Sequence, residues 1–201
     1  MNYTYRQEVL IEEMAPRGGR AGDYRETREV VFSPETGRIE RMVGKPFQSL
    51  VRLRLTDEDF RDIRDVQPFL FTSEDLWLYE TRFKGEEAAD GVDCWLLQVR
   101  PRQTHQGQRL FDGILWVDKR DYSVFKTEGV AVPQMFSKRE ENLFPRFTTF
   151  RDKVDGHWFP VHTHSDDTLP FANGPLRMRM SIKYLNYRKF SATSSVTFDA
   201  R

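Results

Sequence analysis

The chain has 201 residues, and its 31 basic and 31 acidic side chains cancel to a formal net charge of zero. That length fits one domain with a real core, and the charge balance argues against a nucleic-acid ligand, which needs a clustered basic surface. No stretch approaches the ~20 consecutive apolar residues that span a bilayer. The polar, alternating start "MNYTYRQEVL" lacks the apolar core of a signal peptide. The chain is therefore either cytosolic or a mature form whose export signal has been removed. The single cysteine, Cys94, leaves no internal disulfide and reads as a core residue rather than a nucleophile. Aromatics make up 13% of the chain, with 16 Phe, so large apolar surfaces must be buried.

Period-two alternation predicts a strand over residues 2–14, followed by a loop through "APRGGRAG" at 15–22 and a turn at "SPETG", 33–37. The run "SLVRLRL" at 49–55 alternates as a further strand. The stretch "TDEDFRDIRDVQPF" reads as the one clear helix. Thr56 is its N-cap, Asp57, Glu58 and Asp59 sit in the first turn where the dipole favours negative charge, and Pro68 stops it. Phe60, Ile63 and Val66 form its narrow apolar stripe. A second short helix is expected to begin at Ser73, while Trp77–Phe83 reads more as strand. The acidic run "KGEEAADG" at 84–91 reads as a solvated hairpin tip.

"CWLLQV" at 94–99 and residues 110–117 are apolar on both faces, which requires cover on both sides of a sheet, with helix and loops expected on one side and a cavity lining on the other. Leu110, Ile114 and Trp116 are expected on one face, and Phe111, Leu115 and Val117 on the other. Asp118 and Asp121 lie in "DKRD", between this run and a second resuming at Tyr122. Four polar residues between two such runs form a hairpin loop rather than a pair of catalytic carboxylates. Further turns are expected at "VDG" (154–156) and "ANG" (172–174). Over 176–187, Leu176, Met178, Met180, Ile182 and Tyr184 share one face, and Arg177, Arg179, Ser181 and Lys183 the other. Short turns between alternating runs predict an antiparallel meander in a single domain spanning 1–201.

"VAVPQMFSKREENLFPRF" at 130–147 sets Met135 and Phe136, then Leu143 and Phe144, on either side of a charged helical turn. It is either a lid over a cavity mouth or a connection whose anchors plug the core. In "HWFPVHTHSDD", His162 and His164 share a strand face with Asp166 or Asp167 near its end, a candidate set for zinc or iron. A polar outer face explains the same residues with no metal. There is no Ser–His–Asp order, phosphate loop or CxxC, so no cofactor is called for.

The strand "VDCWLLQVRP" ending at Pro101, the "G-x-x-W-V-D" strand at Gly113–Asp118 and the "D-G-x-W-F-P" strand at Asp155–Pro160 follow one another in an order that resembles the outer-membrane lipoprotein-sorting superfamily, the LolA/LolB-like periplasmic carriers. The resemblance covers roughly residues 77–187. It implies a mainly β fold with a minor helical part, in which a strongly curved, incomplete antiparallel barrel holds helix and loops on its concave face. It also implies a hydrophobic cavity for acyl chains of lipids or lipoproteins, and a membrane-associated partner protein. The family usually carries more than one helix, and no N-terminal lipid-bearing cysteine is present here. The same fold houses sensor domains of the RseB type and an enzyme of the VioE type, so the fold alone does not fix function.

The expectation is a periplasmic carrier that sequesters a lipid without chemistry. Trp95, Leu97, Leu115, Val117, Met178, Met180 and Ile182 are its cavity residues, and Met135, Phe136, Leu143 and Phe144 its lid. A structural or sensory binding module is the alternative, followed by a metal enzyme using His162 and His164.

Overall fold

The computed structural model describes residues 2–33, 37–69, 75–105, 107–136 and 141–190. Its strands are β1 (Tyr3–Met14), β2 (Arg20–Ser33), β3 (Gly37–Met42), β4 (Phe47–Gln48), β5 (Tyr79–Ala89), β6 (Val92–Pro101), β7 (Leu110–Asp118), β8 (Val124–Val132), β9 (Met135–Phe136), β10 (Glu141–Asn142), β11 (Phe147–Val154), β12 (His157–Leu169) and β13 (Leu176–Lys189). Eleven of them form one antiparallel sheet in the order β3-β2-β1-β13-β12-β11-β8-β7-β6-β5, with β4 on β2; β9 and β10 pair separately. The sheet is not closed into a barrel.

Alternation explains which face of each strand is buried. Along β13, Leu176, Met178, Met180, Ile182 and Tyr184 are buried while Arg177, Arg179 and Lys183 are exposed. On β1, Val9 and Ile11 are buried beside Ile182 and Met180 of β13. The helix α1 (Asp57–Arg61) runs into a wider π-type turn over Asp62–Val66. Thr56 Oγ1 accepts from the Asp59 amide, and the Asp59 carboxylate accepts from the Thr56 amide, so the start is capped in both directions. Ile63 and Val66 join Met178, Met180, Leu115 and Phe147 in the concave core, with Phe60 packed at its margin.

The two-sided apolarity of β6 and β7 has a different cause from a cavity on the second side. Phe111, Leu115, Val117 and Val99 enter the concave core, whereas Cys94 and Trp116 join Ala89, Val92 and Phe125 in a second cluster, with Leu96, Ile114 and Trp158 packed against it. Lys126 Nζ lies 4.0 Å from the Trp116 ring and Lys153 Nζ 5.0 Å from that of Trp158, so long cationic side chains cover this second cluster. Leu110 departs from the expected grouping and sits in the concave core. Cys94 is fully buried, and burial raises its thiol pKa, as a packing residue requires.

Residues 49–55 alternate but do not form a strand. The amides of Val51, Arg52 and Leu53 all donate to Glu13 Oε2, at 3.0, 2.8 and 3.0 Å, so a buried carboxylate replaces a neighbouring strand as their acceptor. Leu53 still enters the core. The expected solvated tip at 84–91 is mostly strand, because β5 runs to Ala89 with a bulge between Phe83 and Gly85, leaving Asp90–Gly91 as the turn. The expected helix start at Ser73 lies outside the described residues; a 3₁₀ turn covers Leu76–Leu78 before β5 begins at Tyr79.

Candidate ligand-binding cavity

The Asp118–Asp121 segment is a turn. Tyr122 N–H donates to the Asp118 carbonyl, and the Asp118 and Asp121 carboxylates accept from the Arg120 and Ser123 amides. Asp118 is nonetheless buried, and Asp121 bonds Lys153 Nζ at 2.9 Å. Both carboxylates are thus engaged in the hairpin and its neighbour.

A cavity of about 450 Å³ opens at one end of the half-barrel, within the size range of small-molecule sites. Its walls come from strand ends that are distant in sequence. Tyr3 and Tyr5 start β1, Phe159 and Pro160 lie early on β12, Tyr187 lies late on β13, and Leu110 and Phe111 begin β7. Val66, Pro68 and Phe69 follow the helix, and Tyr79 opens β5. On one side the rings of Tyr3 and Phe159 (4.6 Å), Phe159 and Tyr187 (4.9 Å) and Tyr5 and Tyr187 (5.0 Å) pack in a chain. On the other, Phe69 stacks on Phe111 at 4.9 Å and meets Tyr79 edge-on.

Two glycines make room for this wall. Gly113 and Gly129 face each other across β7 and β8, and the Phe111 ring lies over both. A Cβ on either would meet that ring at 2.6–2.7 Å and the opposite strand's backbone closer still. The sequence therefore keeps both positions bare beneath an aromatic floor.

Polar groups stand at the margin. Arg38 donates to Tyr5 Oη (2.6 Å), to Gln7 Oε1 (3.1 Å) and to Glu40 (3.2 Å). Arg64 forks onto Asp65. Arg109 grips the buried Asp62 carboxylate through two 2.8 Å bonds and lies 3.8 Å from the centre of the Phe144 ring. Burial pushes Asp62 up to about 6, with Arg109 opposing the shift. Burial likewise raises Tyr79 to about 12 and Tyr187 above the tyrosine range, so both hydroxyls are neutral at physiological pH. Among the described lining residues there is no histidine, cysteine or serine. The lining combines apolar contact with the charged side chains of Arg38, Arg64, Asp65, Asp75 and Arg109.

None of the seven residues read as cavity-lining lines this cavity. Leu115, Val117, Met178, Met180 and Ile182 are buried in the concave core, and Trp95 and Leu97 pack at its margin. Met178 and Met180 do border a void, but one of about 30 Å³, shared with Leu143 and Phe144. Those two expected lid anchors are buried core members. Met135 pairs with Asn142 and Phe136 with Glu141, so of the helical turn expected between the anchors, Glu141 and Asn142 are strand. Residues 137–140 lie outside the described residues. His162 and His164 rings stand 5.7 Å apart, but His162 Nε2 is bonded to Ser181 Oγ, and Asp166 is clasped by Arg177 and Arg179. Among the described residues no group of three potential metal ligands converges.

Two irregularities hid the wall from alternation. Asn186 has φ +58°, and the β1–β13 register slips between Thr4 and Arg6, so Tyr187 faces the same side as Tyr184 despite odd spacing. A second slip at Phe150/Arg151 aligns Arg151 with Pro160 and turns Pro160 inward. The readable signal was the cluster of aromatics at strand ends, Tyr3, Tyr5, Phe159 and Tyr187.

The sequence matches no family model and no curated protein. Among solved structures, the chain is similar to a DUF1329 family protein from Desulfovibrio piger at 16% identity, covering 96% of this chain and 87% of that one, with a TM-score of 0.44. A LolA superfamily protein from Nitrosomonas europaea is also 16% identical, over 94% and 87% of the two chains, with a TM-score of 0.40. A Vibrio parahaemolyticus domain assigned as an outer membrane lipoprotein-sorting protein is 12% identical over 96% and 87%, with a TM-score of 0.44.

Proposed function

We propose that this protein is a non-catalytic carrier that reversibly takes up an acyl chain of a lipid or lipoprotein in the 450 Å³ cavity. One observation carries the reading: a cavity of about 450 Å³ is walled by eight tyrosine and phenylalanine rings, while the void beside Met178 and Met180 holds only about 30 Å³. Holding an apolar chain needs accessible apolar surface and no nucleophile. The setting is the periplasm and outer-membrane biogenesis, as the sequence resemblance implies. No helix among the described residues is long and apolar enough to cross a membrane. Leu115, Val117, Met178, Met180 and Ile182 act as the platform against which the helix packs, and the ligand touches the strand-end aromatics instead.

A module that binds a partner protein is the second reading. Trp77, 73% exposed, lies between Asp75 and Tyr79 of the cavity wall, as an apolar anchor for a partner's side chain would.

A dansyl-labelled undecanoic acid titrated into the full chain separates the two. The carrier reading expects saturable binding in the micromolar range, about −8 kcal/mol. Leu110→Trp, which fills the cavity from β7, should weaken it at least about tenfold, whereas Trp77→Ala should not. Absence of saturable binding, or binding unchanged in Leu110→Trp, would contradict the carrier reading.

A further inference from the structure

Behind the cavity wall lies a charge without a counter-charge among the described residues. Arg151, on β11, is 4% exposed and makes no ion pair with any described carboxylate. Its guanidinium donates to the Phe69 carbonyl and, at 3.4 Å, to Thr127 Oγ1, and its Nε has no partner. Phe69 lines the cavity, and so does Pro160, the residue opposite Arg151 in the sheet. Tyr184 and Tyr187 stand nearest in charge effect. Burial lowers the guanidinium pKa to about 10, which still leaves it protonated at neutral pH.

The other arginines of this region are balanced. Arg38 is paired with Glu40, Arg64 with Asp65 and Arg109 with Asp62. Asp75, the second acid of the wall, has an interaction of its own. Among the described residues the cavity therefore sits against a positive charge with no counter-charge, in a medium of low dielectric where its field is poorly screened. An isolated buried ion is costly unless something pairs with it, and the open volume on the far side of Phe69 and Pro160 is where a pairing group can enter.

Resting on the carrier reading, we propose that the ligand is an amphiphile with an anionic headgroup, carboxylate or phosphate, and that Arg151 is the cation that selects it. The acyl tail lies on the strand-end aromatics, and the headgroup sits toward Phe69 and Pro160. A purely structural Arg151, present only to hold the Phe69 carbonyl, would give no such selectivity.

The test displaces a neutral fluorescent apolar probe from the full chain at neutral pH with dodecanoate, dodecyl phosphate, dodecanol and dodecyltrimethylammonium. The wild type should bind the tighter of the two anions at least about tenfold better than dodecanol, with the cation weakest. Which anion is tighter identifies the headgroup. In Arg151→Met the anion-to-alcohol ratio should fall to about one with dodecanol affinity retained, while Arg151→Lys should keep the order. Equal binding of anion and alcohol by the wild type, a comparison that needs no variant, would overturn this inference and leave the apolar carrier standing. A preserved ratio in folded Arg151→Met would overturn the role given to Arg151. Failure of the probe and all four compounds to bind would instead overturn the carrier reading beneath it.

Discussion

Glu13 governs more of the chain than its own strand. Its carboxylate, buried on β1, accepts three successive backbone amides from 51–53 and so converts an alternating segment into a strap across the sheet end. Hydrogen bonds to a charged acceptor are stronger than neutral ones, and orphaned amides are costly. Glu13→Ala should therefore lower stability by about 3 kcal/mol and Glu13→Gln by roughly half that, read from denaturant midpoints at unchanged slope. A loss below about 1 kcal/mol in Glu13→Ala would show that the strap is held by Leu53 and its neighbours instead. Asp166 is the residue whose titration is most informative. Hydrogen bonds from Arg177 and then Arg179 hold it down to about 2. A depressed carboxylate stabilises the fold above its ordinary pKa near 3.8, and this contribution is lost as pH falls through about 2. The wild type should thus exceed Asp166→Asn in stability at pH 5, by under about 1 kcal/mol because the pair is exposed. The gap should close between pH 4 and 2; a constant gap would contradict the assignment.

At the scale of elements, α1 was the most legible piece, since Thr56, the acidic first turn and Pro68 each carry a local meaning that no tertiary contact has to supply. Thr56→Ala should cost about 1 kcal/mol by chemical denaturation, and no measurable loss would mean that packing of Ile63 and Val66 holds the helix without its cap. β13 was legible from Leu176 to Tyr184, and β1 from Gln7 to Glu13, because alternate residues there are buried and those between are not. The 49–55 segment was not, because alternation reports burial of Leu53 and says nothing about where the amides find acceptors. The cavity wall was also illegible in strict alternation. The bulge at Asn186 and the slip opposite Pro160 change the parity of β13 and β12 just where the site is built. Arg109 and Asp62 tie the π-type turn to the start of β7. Breaking this buried pair as Arg109→Met should cost about 3–5 kcal/mol, and adding Asp62→Leu should recover part of it. Additive losses would show that the two residues act separately.

For the whole molecule, an eleven-stranded sheet that curves without closing must fill its concave side with something other than strands. Among the described residues the helix, Leu53 of the 49–55 strap and Leu143–Phe144 pack into it, and a cavity of about 450 Å³ remains at the aromatic end. The central claim is that this end, and not the Met-rich middle of the sheet, receives the ligand. Methyl-resolved NMR of the full chain during a dodecanoate titration tests it most directly. Methyls of Val66 and Leu110, which line the cavity, should shift saturably with one dissociation constant, while those of Met178, Met180 and Ile182 should stay nearly still. Large shifts at Met178, Met180 and Ile182 with none at Val66 and Leu110 would contradict it.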